Sequence, residues 1–139
     1  TTLPEEMKAK PLVILDLNGT LLLRGKSKPR KITLRPHLPS FLSFLFTHFS
    51  VMVWSSARPE SVDQMAQHVF EDRIRDLAAI WDRRSFLLGS AYYHDSPTIK
   101  DLAKIWEWQP CWGASNTLIL DDSIEKIIHP ANWISINTW

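Results

Sequence analysis

One stretch constrains this chain more than any other: LVILDLNGTLLL, from Leu12 to Leu23. The run from Leu12 to Leu17 is short, almost wholly apolar and contains β-branched residues. Such a run suits a strand buried on both faces, and so a central strand of a parallel sheet. A carboxylate cannot be left unpaired inside that core. Asp16 must therefore stand where the strand runs out.

Similar runs recur at Val51 to Trp54 (VMVW), at Thr117 to Asp122 (TLILDD) and, shorter, at Trp133 to Ile136 (WISI). Helical signals fall between them. Pro39 opens a segment with Leu42, Leu45, Phe46 and Phe49 at helical spacing, and ARPESVDQMAQHVF carries the stripe Val62, Met65, Ala66 and Val69. DSPTIKDLAKIW predicts a further helix with Ser96 as N-cap and Pro97 first, which sets Lys100 near its start. SIEKII predicts a short helix before Pro130. Strands alternating with helices give an α/β fold with a mainly parallel open sheet. Ligands of such sheets bind beyond the carboxyl ends of the strands. That rule singles out Asp16 with Asn18, Ser55 with Ser56, and Asp121 with Asp122.

A chain of 139 residues makes one domain with a proper core. A net charge of +1 supplies no global field for nucleic acid or an anionic membrane, so nucleic acid is an unlikely partner. The basic run from Arg24 to Lys31 reads as a solvated loop. Cys111 is the sole cysteine, which excludes an internal disulfide and fits a reducing, intracellular setting, nuclear or cytoplasmic. The greasiest stretch, Phe41 to Trp54, is too short and too interrupted to span a bilayer. The first residue is not Met, and the expectation is a domain of a longer protein, with residues 1–10 as an extension and 11–139 as the catalytic unit.

An aspartate at a strand end can attack phosphorus and form an aspartyl-phosphate that water then cleaves. A second acid pair nearby, Asp121 with Asp122, makes sense only with a cation between the clusters, and oxygen-rich sites of this kind suit Mg²⁺. Ser55 and Ser56 offer hydroxyl and backbone N–H groups to an anion. Lys100 can bring positive charge to it.

In order along the chain, VILDLNGTLL, RPHLPSFLSFLF, VMVWSSARPESV, IWDRRSF, TIKDLAKI and LILDDSIEKIIHPANWISI resemble the haloacid dehalogenase superfamily of phosphotransferases. More narrowly, they resemble the RNA polymerase II carboxy-terminal-domain phosphatases and NLI-interacting-factor-like phosphatases. The resemblance implies a minimally capped fold. It makes Asp16 the nucleophile and a metal ligand, with Asn18 lending its backbone carbonyl to Mg²⁺. Ser55 and Lys100 would hold the phosphate, and Asp121 with Asp122 would complete the metal site. Thr20 would cap and stiffen the loop after the nucleophile.

Two departures from the family pattern stand out. Position 18 is usually the aspartate that acts as general acid and base, and a carboxamide cannot exchange a proton near neutral pH. We read Asn18 as native rather than as an Asp→Asn trap. The stretch RGKSKPRKITL, where small polymerase-tail phosphatases carry a sizeable β insertion, is short. The expected function is Mg²⁺-dependent hydrolysis of phosphomonoesters on a phosphoprotein, slowed at Asn18. The alternative is a pseudophosphatase that holds a protein partner, and a nucleic-acid end phosphatase ranks below both.

Overall fold

The computed structural model describes residues 2–139. In chain order the strands are β1 (Leu12–Leu15), β2 (Leu22–Arg24), β3 (Ile32–Leu34), β4 (Ser50–Trp54), β5 (Ala79–Trp81), β6 (Thr117–Asp121) and β7 (Trp133–Ser135). The α-helices are α1 (Glu5–Lys8), α2 (Leu38–His48), α3 (Pro59–Phe70) and α4 (Ala103–Trp108). Five strands form one sheet in the order β5-β4-β1-β6-β7, and every pair in it is parallel.

The apolar runs explain this order. Every residue of β1 and β4 is buried, so both must be central. Alternate residues point to opposite faces of a strand. Val13, Leu15, Val51, Val53 and Leu120 pack with Leu42 and Leu45 of α2 and with Val62, Met65, Ala66 and Val69 of α3. On the other face Leu12, Ile14, Met52, Trp54 and Ile119 pack with Leu102, Ile105 and Trp112. Fully burying one such side chain is worth about 1.5–3 kcal/mol, and the sheet gains on both faces. Residues 3–10 join the second face: Leu3 is buried, the Ser50 hydroxyl donates to Met7 O at 2.5 Å, and Trp112 Nε1 donates to Lys10 O at 2.9 Å.

Several elements differ from the sequence reading. The segment from Ser96 to Lys100 is not helical, and α4 begins only at Ala103. Its burial alternates, Thr98 and Lys100 buried with Pro97 and Ile99 exposed, which is the pattern of extended chain. Lys100 forms an isolated parallel bridge with Ile127, and its N–H donates to Lys126 O at 2.8 Å. Two β-branched residues after a proline favour that extended path. The basic run is the exposed loop expected over Lys26 to Lys31, but Arg24 ends β2, and Gly25 to Lys31 join β2 to β3 in an antiparallel hairpin. β5 is absent from the sequence reading, since three residues are too few for a periodic signal. SIEKII yields only a 3₁₀ turn at Ile124–Lys126.

Candidate active site

β1 lies between β4 and β6 in register, Leu15 beside both Val53 and Leu120. Asp16 and Asp121 therefore emerge side by side at the carboxyl end of the sheet, and the Asp16 N–H still donates to Leu120 O at 3.1 Å. Beyond Asp16 the chain folds tightly on itself, with the N–H groups of Thr20 and Leu21 donating to Leu17 O at 3.1 and 2.9 Å. Gly19 has φ +88, and a Cβ there would collide with the Asp122 carboxylate. Only glycine suits both the angle and the space. This approach brings the second acid of the DD pair against the loop after the first motif.

Lys100 sits between the carboxylates. Its Nζ donates to Asp16 Oδ1 at 3.3 Å and to Asp121 Oδ2 at 2.5 Å, and all three side chains are more than nine-tenths buried. Thr20 Oγ1 lies 3.0 Å from Asp16 Oδ2 and 3.5 Å from Asp122 Oδ1. Asp121 Oδ1 accepts from Ser123 N at 2.9 Å, and Asp122 Oδ2 accepts from the Thr138 hydroxyl at 2.9 Å. The Lys100 ammonium thus pairs with two carboxylates, and a third, Asp122, stands beside them. Burial pushes the Asp16 carboxyl up to about 6; Lys100 opposes that rise and the charge of Asp121 adds to it.

Each of Asp16, Asp121 and Asp122 offers one oxygen within 4.8 Å of the others. The donors are hard oxygens, and their negative charge exceeds what Lys100 neutralises. Both properties fit a small divalent cation such as Mg²⁺. A tetrahedral phosphoryl group carried on Asp16 would meet the Lys100 ammonium as well.

The fold therefore gathers Asp16, Lys100, Asp121 and Asp122, with Thr20 bridging. Ser55 follows β4 on the same edge of the sheet, buried, with its Oγ accepting from Ala57 N at 3.1 Å. The Ser56 hydroxyl turns elsewhere. It pairs with Thr98 Oγ1 at 2.7 Å and ties down the segment that delivers Lys100. The Asn18 side chain points to the hairpin, and its Oδ1 accepts from Arg24 N at 2.9 Å. Sequence reasoning missed Thr98 and Thr138. Thr98 was findable as the i−2 partner of Lys100 on one face of an extended segment, whereas nothing near Thr138 marks it. Trp54 and Trp112 are buried, and Trp108 packs on Trp81 and Trp112.

An all-parallel open sheet with an acid cluster at its carboxyl ends is the haloacid dehalogenase-like arrangement that the resemblance implied. The family of NLI interacting factor-like phosphatases matches residues 11–139, and the chain belongs to it. An FCP1 homology domain-containing protein of Schizosaccharomyces pombe is 36% identical over 148 residues, covering 92% of this chain and 61% of the relative. Among solved structures, Fcp1, an essential RNA polymerase II CTD phosphatase, superposes with a TM-score of 0.73 at 14% identity over 97% of this chain and 43% of its own. Fission yeast Fcp1-R271A bound to beryllium fluoride gives 0.73 at 13% identity, with the same coverage of 97% and 43%. A putative 3-deoxy-D-manno-octulosonate 8-phosphate phosphatase from Vibrio cholerae gives 0.52 at 14% identity, covering 91% of this chain and 63% of its own. The chain thus spans less than two thirds of each of these relatives.

Proposed function

We propose that this domain hydrolyses phosphomonoesters on a phosphoprotein through a transient aspartyl-phosphate on Asp16, with Mg²⁺ as cofactor. One observation carries the proposal: a buried carboxylate at a strand end, held by Lys100 and converging with Asp121 and Asp122. Asp16, Asp121 and Asp122, with the backbone carbonyl of Asn18, would hold the ion, which would offset phosphoryl charge as a Lewis acid. One Asp16 oxygen attacks phosphorus, the new P–O bond forms, and the ester P–O bond breaks with its electron pair leaving on oxygen. Ser55 and Lys100 hold the remaining phosphoryl oxygens, with the Ser56 backbone N–H as a further donor. Water then attacks phosphorus, restores the carboxylate and releases inorganic phosphate.

Asn18 cannot protonate the departing oxygen, so the first step favours leaving groups that are already weak bases. The test is turnover of an aryl phosphate in Mg²⁺ beside Asp16→Asn, with attachment of beryllofluoride to Asp16 read independently. Turnover that is unchanged in Asp16→Asn would sink the proposal. A second reading, a binding module without turnover, draws on the Asn18 side chain being occupied as a tether for the hairpin. It takes the lead if beryllofluoride attaches normally and no phosphomonoester is cleaved.

A further inference from the structure

Ser56, next in the chain to Ser55, lines an open groove of about 710 Å³. It adjoins the site at two points. Ser56 lines it directly, and Arg24, whose backbone N–H is held by Asn18, forms part of its wall. Its cations are Arg24, Lys28, Arg30, Arg58 and Arg83, against the carboxylates of Glu60 and Asp95. His94 also lines it.

Arg83 is already employed. It donates to Tyr92 O at 2.8 Å, Ser56 O at 3.2 Å and His94 O at 2.8 Å, and so builds the floor. The other cations lack a carboxylate partner. Among the described residues Arg24, Lys28, Arg30 and Arg58 take part in no ion pair. Arg24 Nε is buried without any hydrogen-bond partner. Burial and the nearby charge of Arg30 both work against the Arg24 guanidinium. A buried unpaired donor and crowded like charges are each costly. An anion in the groove relieves both, and planar guanidinium groups match a phosphate in bidentate fashion.

Because the groove reaches the site through Ser56, next to Ser55, and through the Asn18–Arg24 bond, we infer that it seats a second phosphate on the same peptide, flanking the scissile one. The preferred substrate class is a doubly phosphorylated segment. This rests on the phosphatase reading and extends it. A nucleic-acid strand fits less well, since such strands need free aromatic faces for stacking. Here Arg58 lies over the Tyr92 and Tyr93 rings at 5.8 and 5.7 Å, and Arg83 over Tyr92 at 5.6 Å.

The test is fluorescence anisotropy at about 0.15 M salt, where distant charge is screened. Three peptides of one sequence carry no phosphoserine, one phosphoserine, or two phosphoserines a few residues apart; a single-stranded oligonucleotide of matched charge is the fourth probe. The second phosphate should tighten binding at least about tenfold, as expected for one good guanidinium–phosphate pair. Arg24→Gln and Arg58→Gln should each cut that gain severalfold, whereas Lys8→Gln, on the N-terminal helix, should not. No gain at the second phosphate, or a gain that survives both substitutions, overturns the groove alone. Tighter binding of the oligonucleotide than of the doubly phosphorylated peptide overturns it in favour of nucleic acid. No gain at the first phosphate overturns the phosphatase reading, and this inference with it.

Discussion

Asn18 spends its side-chain oxygen on the backbone N–H of Arg24 at 2.9 Å, a bond that a carboxylate oxygen would make equally well. Asn18→Asp should therefore leave the hairpin in place while restoring a group able to exchange a proton. Turnover of serine phosphates should rise on the order of 10² or more, and of aryl phosphates less, because only poor leaving groups depend strongly on protonation. A further pH dependence, from the new carboxyl, should appear. Steady-state rates on both substrate types check this, and an equal rise for both would point instead to cleavage of the aspartyl-phosphate as the slow step. Lys100 makes a different demand. Removing it, as in Lys100→Met, leaves Asp16 and Asp121 buried without the ammonium that pairs with both, which should cost about 3–5 kcal/mol. Urea unfolding without metal measures that loss, and Mg²⁺ should recover part of it.

The segment carrying Lys100 shows what periodicity cannot reveal at the level of an element. Ile99, Leu102, Ala103 and Trp106 have helical spacing, yet Ile99 is exposed and the helix starts at Ala103. The deciding partners, Lys126 O and the Ser56 hydroxyl, are distant in sequence and leave no local trace. The short strands β2, β3 and β5 were hidden for a related reason, because each is fixed by what it pairs with. By contrast β1, β4 and β6 were legible, since continuous apolar runs have few uses other than a doubly covered strand. The stripe of α3 was equally plain, and Val62, Met65, Ala66 and Val69 are all buried. The acids were legible as strand ends; their convergence needed the sheet order. The Ser56–Thr98 tether gives a further prediction. A double-mutant cycle of Ser56→Ala and Thr98→Val should return a coupling of about 1 kcal/mol in chemical denaturation. A coupling near zero would mean that the Lys126 contact alone positions Lys100.

Across the whole molecule, the acid cluster links stability to pH and metal. The Asp16 carboxyl is raised from 3.8 to about 6 by burial first, so the metal-free folded state holds its proton more tightly than the unfolded chain. The stability this contributes is complete below pH 3.8 and is lost as pH rises through 6. Its size is up to roughly 3 kcal/mol. In EDTA, Asp16→Asn should accordingly raise the melting temperature at pH 7.5 and have little effect at pH 4. Mg²⁺ should reverse the trend, because it binds the ionised carboxylates of the native state. The melting temperature should rise in millimolar Mg²⁺ at pH 7.5 and barely move at pH 4. Melting curves unaffected by Mg²⁺ at both pH values would remove the metal from the proposal.

The ends of the described chain lie at opposite poles of the sheet. Residues 3–10 fasten at the amino ends of the strands, through Met7 O to Ser50 and Lys10 O to Trp112. The last residues fasten at the carboxyl ends: Trp139 N donates to Gly19 O at 3.0 Å, Thr138 grips Asp122, and Asn137 O accepts from Arg35 at 3.1 Å. Whatever is joined to Trp139, by nature or in the laboratory, therefore leaves the domain beside the acid cluster. A dye or tether placed there would report on ligands as they arrive. The same group on the N-terminal side would sit behind the sheet and remain silent.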